Sequence, residues 1–252
     1  EADALGFNTF VMQGGEDPRQ TDEWVVDVVK SIRAAYPDKA ITLSVGERSA
    51  EAYAAFKEAG ANRFLLRHET RNDEHYAQLH PSMMSSENRR NCLYTLKQLG
   101  FQTGSGMMIG SPGQTDEHLY EDIKFLEDLQ PQMIGIGPFL PATYTPFENQ
   151  YPGSADKTIL MLSLLRLRFP KVLLPATTAL ATLCPDGMER AILAGANVVM
   201  PNISPLEQRK KYSIYDNKKS TGAESAQQMQ QLEDRLNTIG YHIDYNRGDY
   251  KN

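Results

Sequence analysis

Apolar residues along the chain follow two alternating patterns. Short apolar runs rich in strand-forming residues occur at residues 9–13, 41–46, 62–69, 102–109, 132–140, 172–178 and 197–202. Between them, apolar side chains recur at the spacing of one helix face, after Thr21 and near residues 50–59, 86–99, 116–129, 156–169, 187–194 and 223–239. Strands that alternate with helices predict a parallel sheet covered by helices.

A glycine step ends several predicted helices and indicates how the chain is organised. Leu-Gly or Ala-Gly before a strand occurs at Gly60, Gly100 and Gly195, each after an amphipathic helix, and at Gly6, which has almost no sequence before it. We therefore expect the given sequence to start inside a helix that an eighth strand would precede. The predicted fold class is α/β, a (β/α)8 TIM-type barrel of about seven strands that lacks its first βα unit.

The barrel has one competing architecture, a doubly wound open sheet. That fold commonly opens a helix with a glycine-rich phosphate-binding fingerprint, and this chain contains none. The barrel is therefore favoured. Residues 1–215 are predicted to form the partial barrel, and residues 216–252 a C-terminal helical extension that packs on it.

Polar residues and glycines stand at the ends of the predicted strands. They are Gly14, Gly15, Glu16, Ser44, Arg67, Glu69, Thr177 and Thr178. Taken singly, such residues have simple structural explanations: a turn at Asp17-Pro18, a hydrogen-bonded core histidine at His68, or an Arg67–Glu69 ion pair. A filled barrel would carry branched aliphatic residues at these positions, because buried charges are costly unless they are paired or bind a ligand. Their presence on several strands at once predicts a polar ligand cavity.

The composition limits the classes of function. With 252 residues, 40% apolar and 23% charged, the chain is typical of a soluble globular protein. A net charge of −6 without any Lys/Arg run argues against nucleic-acid binding. The absence of an apolar run of about 18 residues argues against a membrane span. Only Cys92 and Cys184 are present, which indicates a reducing compartment, and we expect a cytoplasmic protein.

The residues at the strand ends are suited to holding a ligand and offer no obvious nucleophile. The chain has no His-Glu-x-x-His zinc motif, no Gly-x-Ser-x-Gly elbow and no P-loop, and no lysine stands at a strand end. Carboxylates accept hydrogen bonds from an ammonium group or ribose hydroxyls, and the nearby Arg89 can grip a carboxylate. We therefore predict a zwitterionic, ribose-bearing cofactor that carries the chemistry, with no catalytic side chain and no metal ligand in this chain.

Several motifs in order along the chain resemble one family. They are Leu65–Thr70 (LLRHET), Glu87–Leu93 (ENRRNCL), Gly110–Thr115 (GSPGQT), Gly135–Pro141 (GIGPFLP), Pro175–Ala179 (PATTA) and Gly195–Asn202 (GANVVMPN). Together they resemble HydE, the radical S-adenosylmethionine maturases of FeFe-hydrogenase, over residues 4 to 215. Biotin synthase and methylornithine synthase are related families, and the Arg-His-Glu-Thr and Gly-Ile-Gly-Pro-Phe blocks favour HydE over them.

The resemblance implies cofactors, substrate positions and a mechanism. By resemblance, the S-adenosylmethionine-binding residues are Gly14, Gly15, Glu16, Ser44, Glu69, Arg89, Met108 and Ile109. The implied substrate-binding residues are Arg67, Thr177, Thr178 and Met200. A 4Fe-4S cluster would cleave S-adenosylmethionine reductively, and the 5′-deoxyadenosyl radical would attack a small-molecule or organometallic substrate in the barrel. Other hydrogenase maturases are the implied partners.

The chain departs from the family pattern at one point. The family's Cys-x-x-x-Cys-x-x-Cys motif is absent, and Cys92, on an apolar helix face, and Cys184, in a loop, do not replace it. We therefore expect the chain as given to be inactive by itself and to associate with itself through open barrel edges. The alternatives are a biotin synthase-like or methylornithine synthase-like enzyme, or a non-catalytic barrel that binds a nucleoside or amino acid. A barrel lyase is disfavoured because no acid–base pair can be assigned.

Overall fold

The chain folds into alternating strands and helices. A computed structural model describes residues 2–202 and 225–251. The strands are β1 (Thr9–Gln13), β2 (Ala40–Ser44), β3 (Arg63–Leu65), β4 (Gln102–Ile109) and β5 (Met133–Pro138). The helices are α1 (Asp22–Ala35), α2 (Ala50–Ala59), α3 (Asp73–Leu79), α4 (Ser86–Gln98), α5 (Asp116–Leu129), α6 (Ala155–Arg168), α7 (Thr178–Leu183), α8 (Gly187–Leu193) and α9 (Ser225–Thr238).

The five strands form one sheet in the order β1-β2-β3-β4-β5. The pairs from β1 to β4 are parallel, with Thr9 beside Ala40 and Arg63 beside Gln102. Each strand therefore lies next to its neighbour in sequence, as helical crossovers in an α/β fold require. β1 and β4 have the predicted bounds, and β2 and β5 differ from theirs by one or two residues.

Three predicted strands were wrong in extent or kind. The strand predicted at 62–69 is reduced to β3, and the backbone at Glu69 is left-handed, with φ of 65°. The stretches 172–178 and 197–202 form no named strand and are joined by an isolated parallel bridge between Pro175 and Val198. Proline donates no hydrogen bond to a ladder, and Thr177 is instead the N-cap residue of α7. Among the described residues, the predicted count of about seven strands is thus corrected to five strands and two isolated bridges, Glu69–Met107 and Pro175–Val198.

Side-chain caps fix the starts of five helices. The capping residues Thr21, Ser49, Asn72, Ser85 and Ser154 accept hydrogen bonds from backbone N–H groups in the first turns of α1, α2, α3, α4 and α6. α2 and α5 have the predicted bounds. α3 and α7, of seven and six residues, were not predicted. No helix in the described ranges has the length and apolar character that crossing a bilayer requires.

Contacts divide the chain into two compact units. The first comprises Glu1–Leu5, Met108–Thr115 and Gly135–Asp244, and the second comprises Gly6–Met107, Asp116–Ile134 and Tyr245–Asn252. In the second unit, Ile41 and Leu43 of β2 are fully buried in a core with helix residues such as Val29 of α1 and Phe56 of α2. The alternation along β2 therefore places its aliphatic face against the helices, as predicted.

An arginine and an asparagine fix the start of β2 within the second unit. Arg33, in the last turn of α1, donates to the carbonyl of Gly60 at 2.7 Å and to the side chain of Asn62 at 2.7 Å. The same Asn62 oxygen accepts from the backbone N–H of Ile41 at 2.9 Å. The end of α2 is thereby tied to the strand that follows α1.

The first unit repeats this arrangement with a second set of residues. Arg166, near the end of α6, donates to the carbonyl of Gly195 at 2.8 Å, and Asn197 accepts from the backbone N–H of Leu174 at 2.8 Å. The Ala-Gly-Ala-Asn sequence that follows α2 also follows α8. The recurring glycine step therefore marks a recurring set of hydrogen bonds.

The C-terminal residues take part in both units. In the second, Arg63, 5% exposed, pairs with Asp249 at 2.9 Å and donates to the carbonyl of Arg247 at 2.7 Å. In the first, Arg235 of α9 forms two hydrogen bonds of 2.6 Å with the Glu189 carboxylate of α8. The predicted domain boundary after residue 215 lies outside the described residues, so the extension at 216–252 stays a prediction.

Candidate ligand-binding site

The turn after β1 leaves backbone groups accessible. Gly14 donates its N–H to the carbonyl of Ser44 at 3.0 Å, which closes the β1–β2 ladder. Gly15 has φ of +60°, and a Cβ built there would meet nothing within 4 Å. The chain therefore passes Gly15 in a conformation that favours glycine, with open space beside it.

The Glu16 carboxylate is held over the loop that follows β2. The backbone N–H of Glu47 donates to its two oxygens at 3.0 and 3.1 Å. Gly46 lies directly beneath, with φ of +81°, and a Cβ there would lie 2.2 Å from Glu16 Oε2. Gly46 is thus required both by its backbone conformation and by the close approach of the carboxylate.

Arg89 of α4 joins two carboxylates from different loops. Its Nη1 lies 3.0 Å from Glu16 Oε1, and its Nε lies 3.0 Å from Glu47 Oε1. Asn88, the preceding residue, donates to the other oxygen of Glu47. The guanidinium is buried; burial acts to lower its pKa, but Tyr76, Glu47 and Glu16 outweigh that effect and raise it. Arg89 therefore remains a fixed positive charge in the site.

Glu69 brings a third carboxylate. Its Oε1 accepts a hydrogen bond of 3.0 Å from Arg67 Nε, so the ion pair named above as the simple structural explanation of these two residues is present. Its Oε2 is buried and has no hydrogen-bond partner among the described residues. A buried carboxylate oxygen without a donor is costly, so this atom is suited to accept a hydrogen bond from a ligand.

Two aromatic residues of α3 and its C-terminus add to the site. The rings of Tyr76 and His80 stack with centroids 3.9 Å apart. Burial raises the pKa of Tyr76, and burial lowers the pKa of His80 below its ordinary value, so that the imidazole is neutral at pH 7. Both groups lie within electrostatic range of Glu69 and Arg89. Sequence reasoning missed them because α3 was not predicted.

Sequence reasoning also missed Glu47, which directly follows the predicted strand 41–46. A polar residue just beyond a strand end was the available signal. With Glu47 included, the cluster contains three carboxylates and two guanidinium groups, those of Arg67 and Arg89. Its formal charge is −1. The net negative charge of the arrangement therefore favours a cationic group.

The remaining predicted site residues belong to the first unit. Ile109 is fully buried, Met108 and Met200 are half-buried, and Thr178 is exposed. The hydroxyl of Thr177 is buried with no hydrogen-bond partner in the described part of the chain, and a Cβ on Gly137 would lie 2.7 Å from it. The predicted residues Gly14, Gly15, Glu16, Ser44, Arg67, Glu69 and Arg89 all lie in the second unit.

The two cysteines do not form a metal site. Cys92 is buried in the core, its thiol donates to the carbonyl of Arg48 at 3.7 Å, and burial raises its pKa. Cys184 is half-buried in the other unit. Within residues 2–202 and 225–251, no group of three or more His, Cys, Asp and Glu side chains could hold a metal ion.

Comparison with known proteins places this site in context. The model of the Radical SAM superfamily matches residues 1–126. The chain is 46% identical over 214 residues to the FeFe-hydrogenase maturase subunit HydE of Thermotoga maritima, covering 85% of this chain and 61% of that protein. It is 30% identical over 207 residues to 3-methylornithine synthase of Methanosarcina acetivorans, covering 80% of this chain and 58% of that protein. The chain thus spans about 60% of the length of these relatives.

Solved structures agree on the fold. The crystal structure of methylornithine synthase (PylB) superposes with a TM-score of 0.80 at 25% identity and covers 95% of this chain and 69% of that one. HydG, a maturase of the FeFe-hydrogenase, superposes with a TM-score of 0.67 at 18% identity, over 77% of this chain and 46% of that one. The prediction of an α/β fold of the barrel type is confirmed.

Proposed function

Because the chain belongs to the radical SAM superfamily, we propose that it is part of a HydE-type enzyme that acts in FeFe-hydrogenase H-cluster assembly. The observation that carries this proposal is the 46% identity to HydE over 214 residues. The two cofactors of the superfamily are S-adenosylmethionine and a 4Fe-4S cluster. The identity to 3-methylornithine synthase, 30%, makes that enzyme class and the related biotin synthases the weaker alternatives.

The charges of the second unit fit S-adenosylmethionine. That molecule carries a sulfonium and an ammonium group against one carboxylate, a net charge of +1, opposite to the −1 of the cluster. Glu16 and the open backbone at Gly15 would accept hydrogen bonds from the ammonium group, and Arg89 would bind the carboxylate. The unpartnered Oε2 of Glu69 would accept from the ligand as well. Gly14 and Ser44 support this turn, and the assignment of Met108 and Ile109 to the adenine stays a prediction from the resemblance to HydE.

The chain's own residues bind, orient and shield the cofactor. When bound, S-adenosylmethionine would supply a 5′-deoxyadenosyl radical and release methionine, with one electron coming from the 4Fe-4S cluster. Arg89 is a fixed charge that orients the amino-acid end, and Gly46 allows Glu16 to remain in place. The 4Fe-4S cluster needs three thiolates, and the 252 residues contain two cysteines, so this chain alone does not hold it.

The substrate in this proposal is a small molecule or an organometallic compound. The assignment of Arg67, Thr177, Thr178 and Met200 to substrate binding stays a prediction from the resemblance to HydE. The buried, unpartnered hydroxyl of Thr177 supports a polar substrate group at that position.

Partners and location complete the proposal. We propose other hydrogenase maturases as partners because the chain is similar to HydE. We propose the cytoplasm as the location because the two cysteines are not bridged. Self-association is supported by β1, which ends the sheet and exposes 37% of Val11.

A chimera tests the function. The matched segment of Thermotoga maritima HydE is replaced by that of this chain, and FeFe-hydrogenase activation is measured after maturation in vitro. We expect activation, and its loss on Glu69→Gln. Absorbance of the 4Fe-4S cluster and calorimetric binding of S-adenosylmethionine establish that the chimera is assembled. An assembled chimera that activates no hydrogenase contradicts the proposal, and formation of 3-methylornithine would favour the alternative enzyme class.

A further inference from the structure

A fully buried polar triad lies behind Glu69. His68 is 1% exposed, and its two ring nitrogens lie 3.0 Å from Ser105 Oγ of β4 and 3.2 Å from Asp122 Oδ1 of α5. Ser105 and Asp122 are both completely buried. The order Ser–His–Asp is that of a hydrolase, but a serine without solvent access reaches no substrate. The expectation of a hydrogen-bonded core histidine at His68 is confirmed.

Asp122 also holds the backbone beyond Glu69. The Oδ1 atom that contacts His68 accepts a second hydrogen bond of 2.6 Å from the N–H of Arg71. One carboxylate oxygen thus contacts a side chain before Glu69 and a backbone group after it. These contacts fix both ends of the segment His68–Arg71 to α5.

The segment needs such restraint because its conformation is unfavourable. Glu69 is one of the few non-glycine residues with a positive φ, 65°, which costs energy for a residue with a side chain. Its N–H donates to the carbonyl of Gly106 at 3.1 Å, and the N–H of Thr70 donates to the carbonyl of His68 at 2.9 Å. Several hydrogen bonds on both sides of Glu69 therefore hold the left-handed turn in place.

We propose that Asp122 and His68 are positioning residues that hold the left-handed turn at Glu69 and so aim its free carboxylate oxygen at the bound ligand. The inference rests on the proposed function only in naming that ligand as S-adenosylmethionine. Replacing a whole buried polar network by apolar residues of the same size is often neutral for stability, whereas removing one partner is destabilising. We therefore assign the triad to the geometry of Glu69 and separate that role from stability with a control variant.

Two measurements on the same variants test whether Asp122 and His68 hold the turn at Glu69. Calorimetry gives the affinity for S-adenosylmethionine, and amide hydrogen exchange of Glu69 and Arg71 reports the turn without ligand. Asp122→Ala should weaken binding roughly tenfold or more and accelerate exchange of both amides. Asp122→Asn keeps an acceptor for the Arg71 N–H and should restore both values to within about threefold of wild type.

The matched control is Leu129→Ala, a buried position on the same helix. This variant lowers stability by opening a cavity and should leave the affinity and both exchange rates unchanged at temperatures where it is folded. The proposal is overturned if Asp122→Ala binds as tightly as wild type, or if Leu129→Ala weakens binding equally. If wild type binds no S-adenosylmethionine, the proposed function fails. The exchange rates of Glu69 and Arg71 alone then show whether Asp122 holds the turn.

Discussion

The guanidinium of Arg89 lies 3.0 Å from the carboxylate of Glu16, although 73 residues separate them in sequence. Arg89 stands on α4, and Glu16 follows β1. Parallel neighbouring strands present their C-terminal ends at one edge of the sheet, and the loops and helices after them meet there. The pair therefore joins a helix to the turn that we propose to bind the amino-acid end of the cofactor.

Replacing Arg89 should destabilise the fold as well as the site. In Arg89→Met the carboxylates of Glu16 and Glu47 lose their counter-charge. We expect a loss of about 3 kcal/mol in the free energy of unfolding, the lower end for a broken buried pair, because the Glu16 side chain is 42% exposed. Urea denaturation at pH 7 measures it. Arg19→Met removes an ion pair whose arginine side chain is 88% exposed, and it should have almost no effect on stability. Equal losses in both variants would refute the prediction.

Gly46→Ala should weaken ligand binding beyond its effect on the backbone. The new Cβ would displace the Glu16 carboxylate, so the affinity for S-adenosylmethionine should fall roughly tenfold, equivalent to about 1.4 kcal/mol. Gly100→Ala is the matched control, since its φ of +75° imposes similar strain and its Cβ meets nothing within 4 Å. Both variants should lose about 1 kcal/mol of stability. Calorimetry that finds the same affinity for the two would exclude a role for the Gly46–Glu16 contact.

Asn62→Leu should destabilise the second unit. The substitution leaves the N–H of Ile41 and one guanidinium contact of Arg33 without an acceptor, at a cost of about 2 kcal/mol. Asn62→Asp retains both contacts and should stay within about 1 kcal/mol of wild type. The urea midpoint is the measurement, with Asn91→Leu on the exposed face of α4 as the control. If Asn62→Leu is as stable as the control, the hydrogen bonds of Asn62 with Ile41 and Arg33 do not stabilise the unit.

The docking of α9 through Glu189 should depend on pH. The hydrogen bonds from Arg235 hold the pKa of Glu189 below its ordinary value of 4.5. A lowered folded pKa means that the stabilisation is complete above pH 4.5 and disappears as the pH falls through the lower folded value. Because Arg235 is 43% exposed, we expect wild type to exceed Glu189→Gln by only about 1 kcal/mol at pH 7.

Urea denaturation at pH 7 and pH 3 checks this sign. The difference between wild type and Glu189→Gln should shrink at the lower pH. Asp156→Asn removes an 84% exposed partner of Arg190 in the same unit and should have almost no effect at either pH. If the difference in stability between wild type and Glu189→Gln grows at low pH, the ionised Glu189 does not stabilise the docking of α9.

Several elements were predictable because their signals are local. Apolar periodicity and capping residues lie within a few residues of the helix that they define, so α2 and α5 match their predicted bounds. β4 was predicted at 102–109 despite its glycines, because it lies between a helix end at Gly100 and a turn at Gly110-Ser111. Motif resemblance then identified the family from short blocks that follow in order.

Other features depend on contacts between distant parts of the chain. The segment 172–178 contains strand-forming residues, but strand pairing requires a partner at the right register, and only the bridge of Pro175 to Val198 is described there. The left-handed turn at Glu69 follows from Asp122, 53 residues away, which no local pattern encodes.

By itself, the sequence determined the alternation of strands and helices over most of the chain, the buried faces of the longer helices and the residue types available for a ligand, because these follow from local periodicity and composition. Only the tertiary structure decided that Glu47 joins Glu16 and Arg89, and that His68 and Asp122 stand behind Glu69. The physical reason is that the energies of ion pairs and buried hydrogen bonds depend on distances of about 3 Å between groups that the chain brings together only on folding.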